Sequence, residues 1–224
     1  MTRTMCEQSA PSAVPIGQPS ATVRRALSQA PIGEHGILEV ALAWQQLRPT
    51  RHQLRRMVAA PPAGLATHRH LPIVCTEYEE IAVRLTRLLT GVTWAVVACD
   101  ERDGGRRLRV EVPGTTYHRV IRTLTAVWRQ LRDELGGADP VRAASLWRMA
   151  LLIEGMPGRG EVLHLPTVAR STADLLARAA CTLGVLGEVQ RVHGGHGVVI
   201  SAPGDLRRLL ATTLGVLEPV RVNR

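Results

Sequence analysis

Lysine and phenylalanine are both absent from this chain of 224 residues, and tyrosine occurs only twice. With no lysine, all 28 basic residues are arginine. The glycine-rich stretch Gly155–Gly160 therefore cannot be a phosphate loop, which needs a lysine and a following Ser or Thr, and it reads as a tight turn after a helix. The four cysteines, Cys6, Cys75, Cys99 and Cys181, stand far apart with no CxxC pair, so neither a zinc site nor a disulfide framework is indicated. Cys75, Cys99 and Cys181 sit among apolar residues and are expected in the core. No run reaches the ~18 apolar residues of a membrane span. The opening MTRTMCEQSAPSAVP lacks the apolar stretch of a secretory signal. A reduced, cytoplasmic protein with no membrane partner is the expectation.

What is present is positive charge, a formal net +9. GC-rich codon usage accounts for arginine in place of lysine. It does not account for the excess of basic over acidic residues, which suits a polyanion such as nucleic acid.

Residues 1–33 are rich in Pro, Ser, Ala and Gln without periodicity and read as a disordered tail. From Glu34 a helical pattern places Ile37, Leu38, Ala41, Leu42 and Trp44 on one face. Arg48-Pro49-Thr50 breaks it, and a further helix is expected through Ala60, ended by Pro61-Pro62.

The second half repeats the first. His70-Leu71-Pro72-Ile73-Val74 matches His164-Leu165-Pro166-Thr167-Val168, and the same step of about 94 residues carries six identities in twenty, including Arg84 with Arg178 and Leu89 with Leu183. A second block, Val112-Pro113-Gly114 against Ala202-Pro203-Gly204, matches at a step of about 90. The difference falls between a turn at residues 100–105 and a shorter one at 193–197, and turns are where an indel is tolerated.

Each copy has a strand (Leu71–Cys75; Val162–Leu165) and then a helix (Glu77–Leu89; Thr172–Leu183). Thr76 with Glu79 and Ser171 with Asp174 are the expected caps. A hairpin and a last helix opening after Pro-Gly follow. Stepping back by about 94 sets Trp147–Gly155 against Gln53–Pro61, so helices near 50–60 and 140–154 are expected to pack together at the centre. Ala59, Ala60, Ala150 and Gly155 would allow their close approach. The expected class is α+β, two tandem αββαββα repeats forming one pseudo-twofold domain. The tail covers 1–33, repeat one 34–135 and repeat two 136–224.

This pattern resembles the LAGLIDADG homing-endonuclease fold, and more closely the amino-terminal domain of WhiA-type regulators of sporulation and cell division. Those are actinobacterial transcription regulators that carry the fold without nuclease activity. The residues behind the resemblance are Trp147-Arg148-Met149-Ala150-Leu151-Leu152-Ile153-Glu154-Gly155, matching the signature helix. The strand Val162–Leu165, the helix Leu175–Leu183, the Gly184-Val185 break and the helix opening at Pro203-Gly204-Asp205 follow in order. The resemblance covers about residues 49–218 and implies a DNA-related regulator.

Two departures qualify what it implies. Glu154 stands where the signature has its catalytic acid, and the counterpart in the first copy is Ala60. Nucleases of this fold hold divalent metals with one acid from each repeat, so no nuclease activity, metal or cofactor is expected. WhiA regulators continue into a helix-turn-helix module, whereas this sequence ends at Arg224. Promoter reading by that module is expected to be absent.

Glu154 is thus either a residual metal ligand or simply the end of a packed helix. His68/His70 and His193/His196 each lie in or beside a turn without a third ligand, which favours solvated histidine over metal binding. The candidates for contacting DNA are Arg106, Arg107 and Arg109 around one strand, Arg119 and Arg122 (with Arg129 and Arg132) on the following helix, and Arg55 and Arg56. Thr93, Ala95, Val97, Glu188 and Gln190 do not continue a basic stripe. Two functions remain open: electrostatic, weakly specific DNA binding, or a protein-interaction module that binds a transcription regulator or a twin subunit.

Overall fold

The alternating apolar residues of the strands form two antiparallel sheets of three strands each, backed by helices. The computed structural model describes residues 21–51, 54–55, 69–100, 106–133, 139–154, 162–192 and 195–215. In chain order the elements are α1 (Ala21–Gln29), α2 (Gly36–Leu47), β1 (His70–Thr76), α3 (Glu79–Leu89), β2 (Val96–Asp100), β3 (Arg107–Pro113) and α4 (Gly114–Asp133). The second set is α5 (Pro140–Glu154), β4 (Leu163–Thr167), α6 (Arg170–Thr182), β5 (Glu188–Val192), β6 (Gly195–Ile200) and α7 (Pro203–Leu214).

The sheets have matching orders, β1-β3-β2 and β4-β6-β5. On β3 the pleat turns Leu108, Val110 and Val112 into the core and Arg107, Arg109 and Glu111 outward. On β4, Leu163, Leu165 and Thr167 turn in while His164 and Pro166 turn out. Among the described residues each repeat has one strand before its middle helix, where two were expected; residues 56–68 and 155–161 lie outside that set.

The centre is α2 packed on α5. Residues 143–153 of α5 are all buried, so this helix is enclosed on every side. Alanines at 41 and 43 of α2 and at 143, 144 and 150 of α5 are buried with it and leave room for close approach. The described helix packed on α5 is α2, a stretch apolar enough to be surrounded, and most of the segment near 50–60 that was expected there lies outside the described residues. Residues 51, 54 and 55 are helical, with the Leu54 N–H donating to the Thr50 carbonyl at 3.0 Å, and Ala59, Ala60 and Gly155 lie outside the described residues.

A second correction concerns the expected tail, since residues 21–29 form α1. Leu27 is fully buried and Val23 packs on the core, while α1 lies on α3 and α5. Its last carbonyls have no donors within the helix, and arginines of α3 supply them. Arg84 Nη1 donates to Ala30, and Arg87 Nη1 donates to the Ser28 carbonyl at 2.9 Å.

Arg84 also belongs to a buried ionic cluster. Its Nε and Nη2 donate to Glu39 Oε2 and Oε1 at 2.6 and 2.8 Å. Arg148 Nη1 donates to Glu39 Oε1 at 2.8 Å, and its Nε donates to the Thr213 carbonyl at 2.7 Å. Glu39 and Arg84 are 0% exposed. One carboxylate from α2 thus ties together α3, α5 and α7, with the two-point fork of Arg84 orienting α3 on α2 and Arg148 bridging α2 to α5 and α7.

Helix starts differ from the expected caps. The helix following Thr76 begins at Glu79, and the Thr76 hydroxyl accepts from the Tyr78 N–H at 3.1 Å. Ser171 lies inside α6, which begins at Arg170. α5 is capped by Asp139, whose Oδ1 accepts the Val141 N–H at 2.8 Å.

Candidate functional site

The carboxyl ends of the two central helices meet beside the β1–α3 turn. α5 ends in Glu154, whereas α2 ends in Leu47 followed by Arg48. Leu47 ends the described helix packed on α5, and Ala60, the counterpart expected for Glu154, lies outside the described residues. Between them is a cleft of about 290 Å³ with an apolar floor of Leu47, Ile81 and Ile153, walled by Tyr78 and edged by Arg48 and Arg107. The Arg24 guanidinium of α1 stacks on the other part of this wall, 3.5 Å from the Tyr78 ring centroid. Among the described residues no group of three or more His, Cys, Asp or Glu converges as a metal site would require.

Burial raises the Glu154 carboxyl above its ordinary range, and the charge of Arg24 offsets part of that rise. A raised carboxylate favours the folded state while protonated. That contribution is complete below the unfolded value near 4.5 and disappears as pH climbs through the folded value. Glu154→Gln should therefore melt higher than the parent at pH 7, by an amount on the order of 1 kcal/mol, and the gap should shrink toward pH 4. Thermal melts across this pH range check it; a gap that widens on acidification would mean that the ionised form is the stabilised one.

The candidate arginines fall into two groups. Arg106 and Arg107 stand 3.9 and 3.8 Å from Glu79 and Glu77. Arg109 lies between Asp100, accepting at 3.4 Å, and Glu111, whose Oε1 is 3.0 Å from Arg109 Nε but off the N–H line, making an ion contact rather than a hydrogen bond. Burial raises the Glu111 carboxyl despite Arg109 and His70 nearby. The open face of the first sheet thus balances two arginines with Asp100 and Glu111. That of the second sheet carries His164, Glu188 and Gln190 and, among the described residues, no arginine.

Arg119 and Arg122 are elsewhere, exposed on α4 with Arg129 and Arg132. Arg55 is exposed, and Arg56 lies outside the described residues. The six described candidates thus sit on three separate stretches of the chain: β3 and the residue before it, α4, and the helical residues 54–55.

His70 opens β1 and meets the Trp94 ring edge-on at 5.3 Å, and His196 is the second residue of β6, so both are strand residues beside a strand end, while His68 and His193 lie outside the described set. Among the described cysteines, which were expected in the core, only Cys75 is half-buried, and burial raises its thiol; Cys181 is exposed on α6, and Cys99, although opposite Leu108 on the inward face, is exposed because β2 is the edge strand of its sheet. No described helix is long and apolar enough to cross a membrane.

No protein-family model and no curated protein matches this chain. Solved structures do. Full-length DUF199/WhiA from Thermatoga maritima aligns over 88% of this chain and 61% of its own length, with a TM-score of 0.58 and 11% identity. The N-terminal LAGLIDADG domain of DUF199/WhiA aligns over 86% of this chain and 88% of its own, again at 0.58 and 11%. I-DmoI, in a complex with DNA and Mn, aligns over 80% and 97%, with a TM-score of 0.51 and 14% identity. The chain therefore spans about three-fifths of full-length WhiA (61%). At these identities the likeness speaks to architecture. The chain has the LAGLIDADG fold, in a two-repeat form similar to the amino-terminal domain of WhiA.

Proposed function

We propose that this protein is a catalytically inactive LAGLIDADG-like domain acting as a DNA-binding, transcription-regulatory accessory protein. The observation that carries the reading is Glu154 at the end of α5 set against Leu47 at the end of α2. Metal-assisted cleavage of a phosphodiester needs charge on both the attacking and the leaving oxygens. Among the described residues no group of three or more His, Cys, Asp or Glu converges there to hold the metals: Glu77 lines the cleft, and Glu154 has the Arg24 charge near it. Net charge +9 and a fold shared with an endonuclease solved on DNA support contact with nucleic acid.

Binding of this kind is electrostatic and weakly sequence-dependent, with a dissociation constant of about 10⁻⁴–10⁻⁶ M at physiological salt. The test is incubation with supercoiled plasmid and Mg²⁺ or Mn²⁺, beside fluorescence anisotropy with two unrelated duplexes. The expected result is binding to both duplexes without cleavage. Cleavage that disappears in Glu154→Ala overturns the inactive assignment.

A protein-interaction module is the second reading, and one observation favours it. Trp94 and Leu186, each two residues before the outer strand of its sheet, are both 66% exposed. Paired apolar residues at matching places of the two repeats suit a protein partner. This reading gains if neither duplex binds even at low salt.

A further inference from the structure

Resting on the DNA-binding reading, we infer that duplex DNA docks on the outer face of α4, on the helical side of the molecule, and not on the open faces of the sheets. The helix GTTYHRVIRTLTAVWRQLRD has 20 residues, four arginines and a single acid, Asp133. Val120, Leu124 and Leu131 are its buried residues. At about 100° per residue, Arg119, Arg122, Arg129 and Arg132 occupy an arc of about 140° opposite that apolar seam. Helix geometry thus gathers the basic side chains into one ridge about 20 Å long.

What separates this ridge from the other arginines is the state of its charge. Arg106, Arg107 and Arg109 each face a carboxylate. Arg119, Arg122 and Arg129 are exposed, and none makes an ion pair among the described residues; Arg132 lies 3.6 Å from its neighbour Asp133. An arginine already neutralised releases few counterions on meeting a phosphate, whereas a solvated one contributes fully. The ridge also belongs to one repeat alone. α7, the counterpart of α4, has 12 residues, and the extra turns of α4 carry Arg129 and Arg132. Duplex DNA carries about one negative charge per 1.7 Å of axis, so a 20 Å ridge meets several phosphates at once. Guanidinium forks fit phosphate oxygens and leave base edges unread.

The experiment uses the whole chain, fluorescence anisotropy with two unrelated duplexes, and a salt series. The α4 variant is Arg119→Ala, Arg122→Ala, Arg129→Ala. An equal-charge control replaces Arg25, Arg191 and Arg207, exposed arginines on other elements, and a sheet variant replaces Arg107 and Arg109. All are exposed or half-buried positions, and thermal melts verify folding. The α4 variant should bind both duplexes more than tenfold more weakly at low salt and flatten the log–log salt slope by up to about 2.7. The control should stay within about twofold. If the parent binds DNA but the α4 variant binds as tightly as the control, or only the sheet variant loses affinity, the inference is overturned and the DNA-binding reading survives. If the parent binds neither duplex at low salt, that reading itself fails. Tighter binding to phosphatidylserine vesicles than to either duplex, lost in the α4 variant, reassigns the ridge to a membrane surface and also overturns the inference.

Discussion

Glu39→Ala should destabilise the protein by about 3–5 kcal/mol, the usual cost of removing one partner from a buried ion cluster. The carboxylate and the Arg84 guanidinium are both 0% exposed, and Arg148 joins them from α5. Without Glu39 two guanidiniums remain in the interior with only carbonyl oxygens as partners, those of Ala30 and of Ser28 and Pro31 at 3.4 Å for Arg84 and that of Thr213 for Arg148. A dipole of a carbonyl cannot neutralise a full charge in a low-dielectric core. For a domain of this size the loss corresponds to a fall in melting temperature of about 6–20 °C. Replacing all three residues together, Glu39→Leu, Arg84→Met and Arg148→Leu, should recover most of the loss, since the desolvation cost of the charges goes with them. Urea unfolding of the parent and both variants is the check. An alanine variant within about 1 kcal/mol of the parent would mean that water reaches the cluster.

The cluster also marks the limit of what one-dimensional reading could reach. The tandem repeat was legible because the HLPxV segments and the helices after them keep their residues in step, and the sheets they build have matching orders. The packing of α2 on α5 was not legible in the repeat, because GILEVALAWQQL shares almost no residue with the α5 stretch. What α2 and α5 share is a physical property, being apolar enough to be enclosed, and this is visible only as composition. Glu39 reads as a solvent-facing position in such a helix; its partners lie 45 and 109 residues away.

α1 is hidden in the sequence for a different reason: Val23, Leu27 and Ala30 carry a helical spacing, but it is short and follows twenty residues without one. At the candidate site, Glu111 two residues from Arg109 on the same strand face was in view and should have counted against a basic stripe. Asp100 enters only through the hairpin register, where it lies opposite Arg107 and reaches Arg109 diagonally.

The second large effect is expected at Trp147, which is 0% exposed on α5 and has its indole N–H donated to the Leu176 carbonyl of α6 at 3.0 Å. Among the described residues it is the largest fully buried side chain, and it sits where α5 packs on α6. Trp147→Ala removes on the order of 200 Å² of buried surface and leaves a cavity that the flanking helices cannot close without breaking the contact of α2 with α5. The expected cost is about 3–5 kcal/mol. Alanine is the better helix former, but that gain is below about 0.7 kcal/mol and does not change the sign. Trp147→Phe separates packing from the polar tie. It keeps most of the apolar volume and loses only the donor to Leu176, whose carbonyl is inside a helix, so its cost should be about 1–2 kcal/mol. Urea titrations should show both variants with lower midpoints and an unchanged slope, alanine shifted by more than twice as much as phenylalanine. Equal shifts would place the contribution in the hydrogen bond rather than in the filled space, and the packing account of this contact would fail.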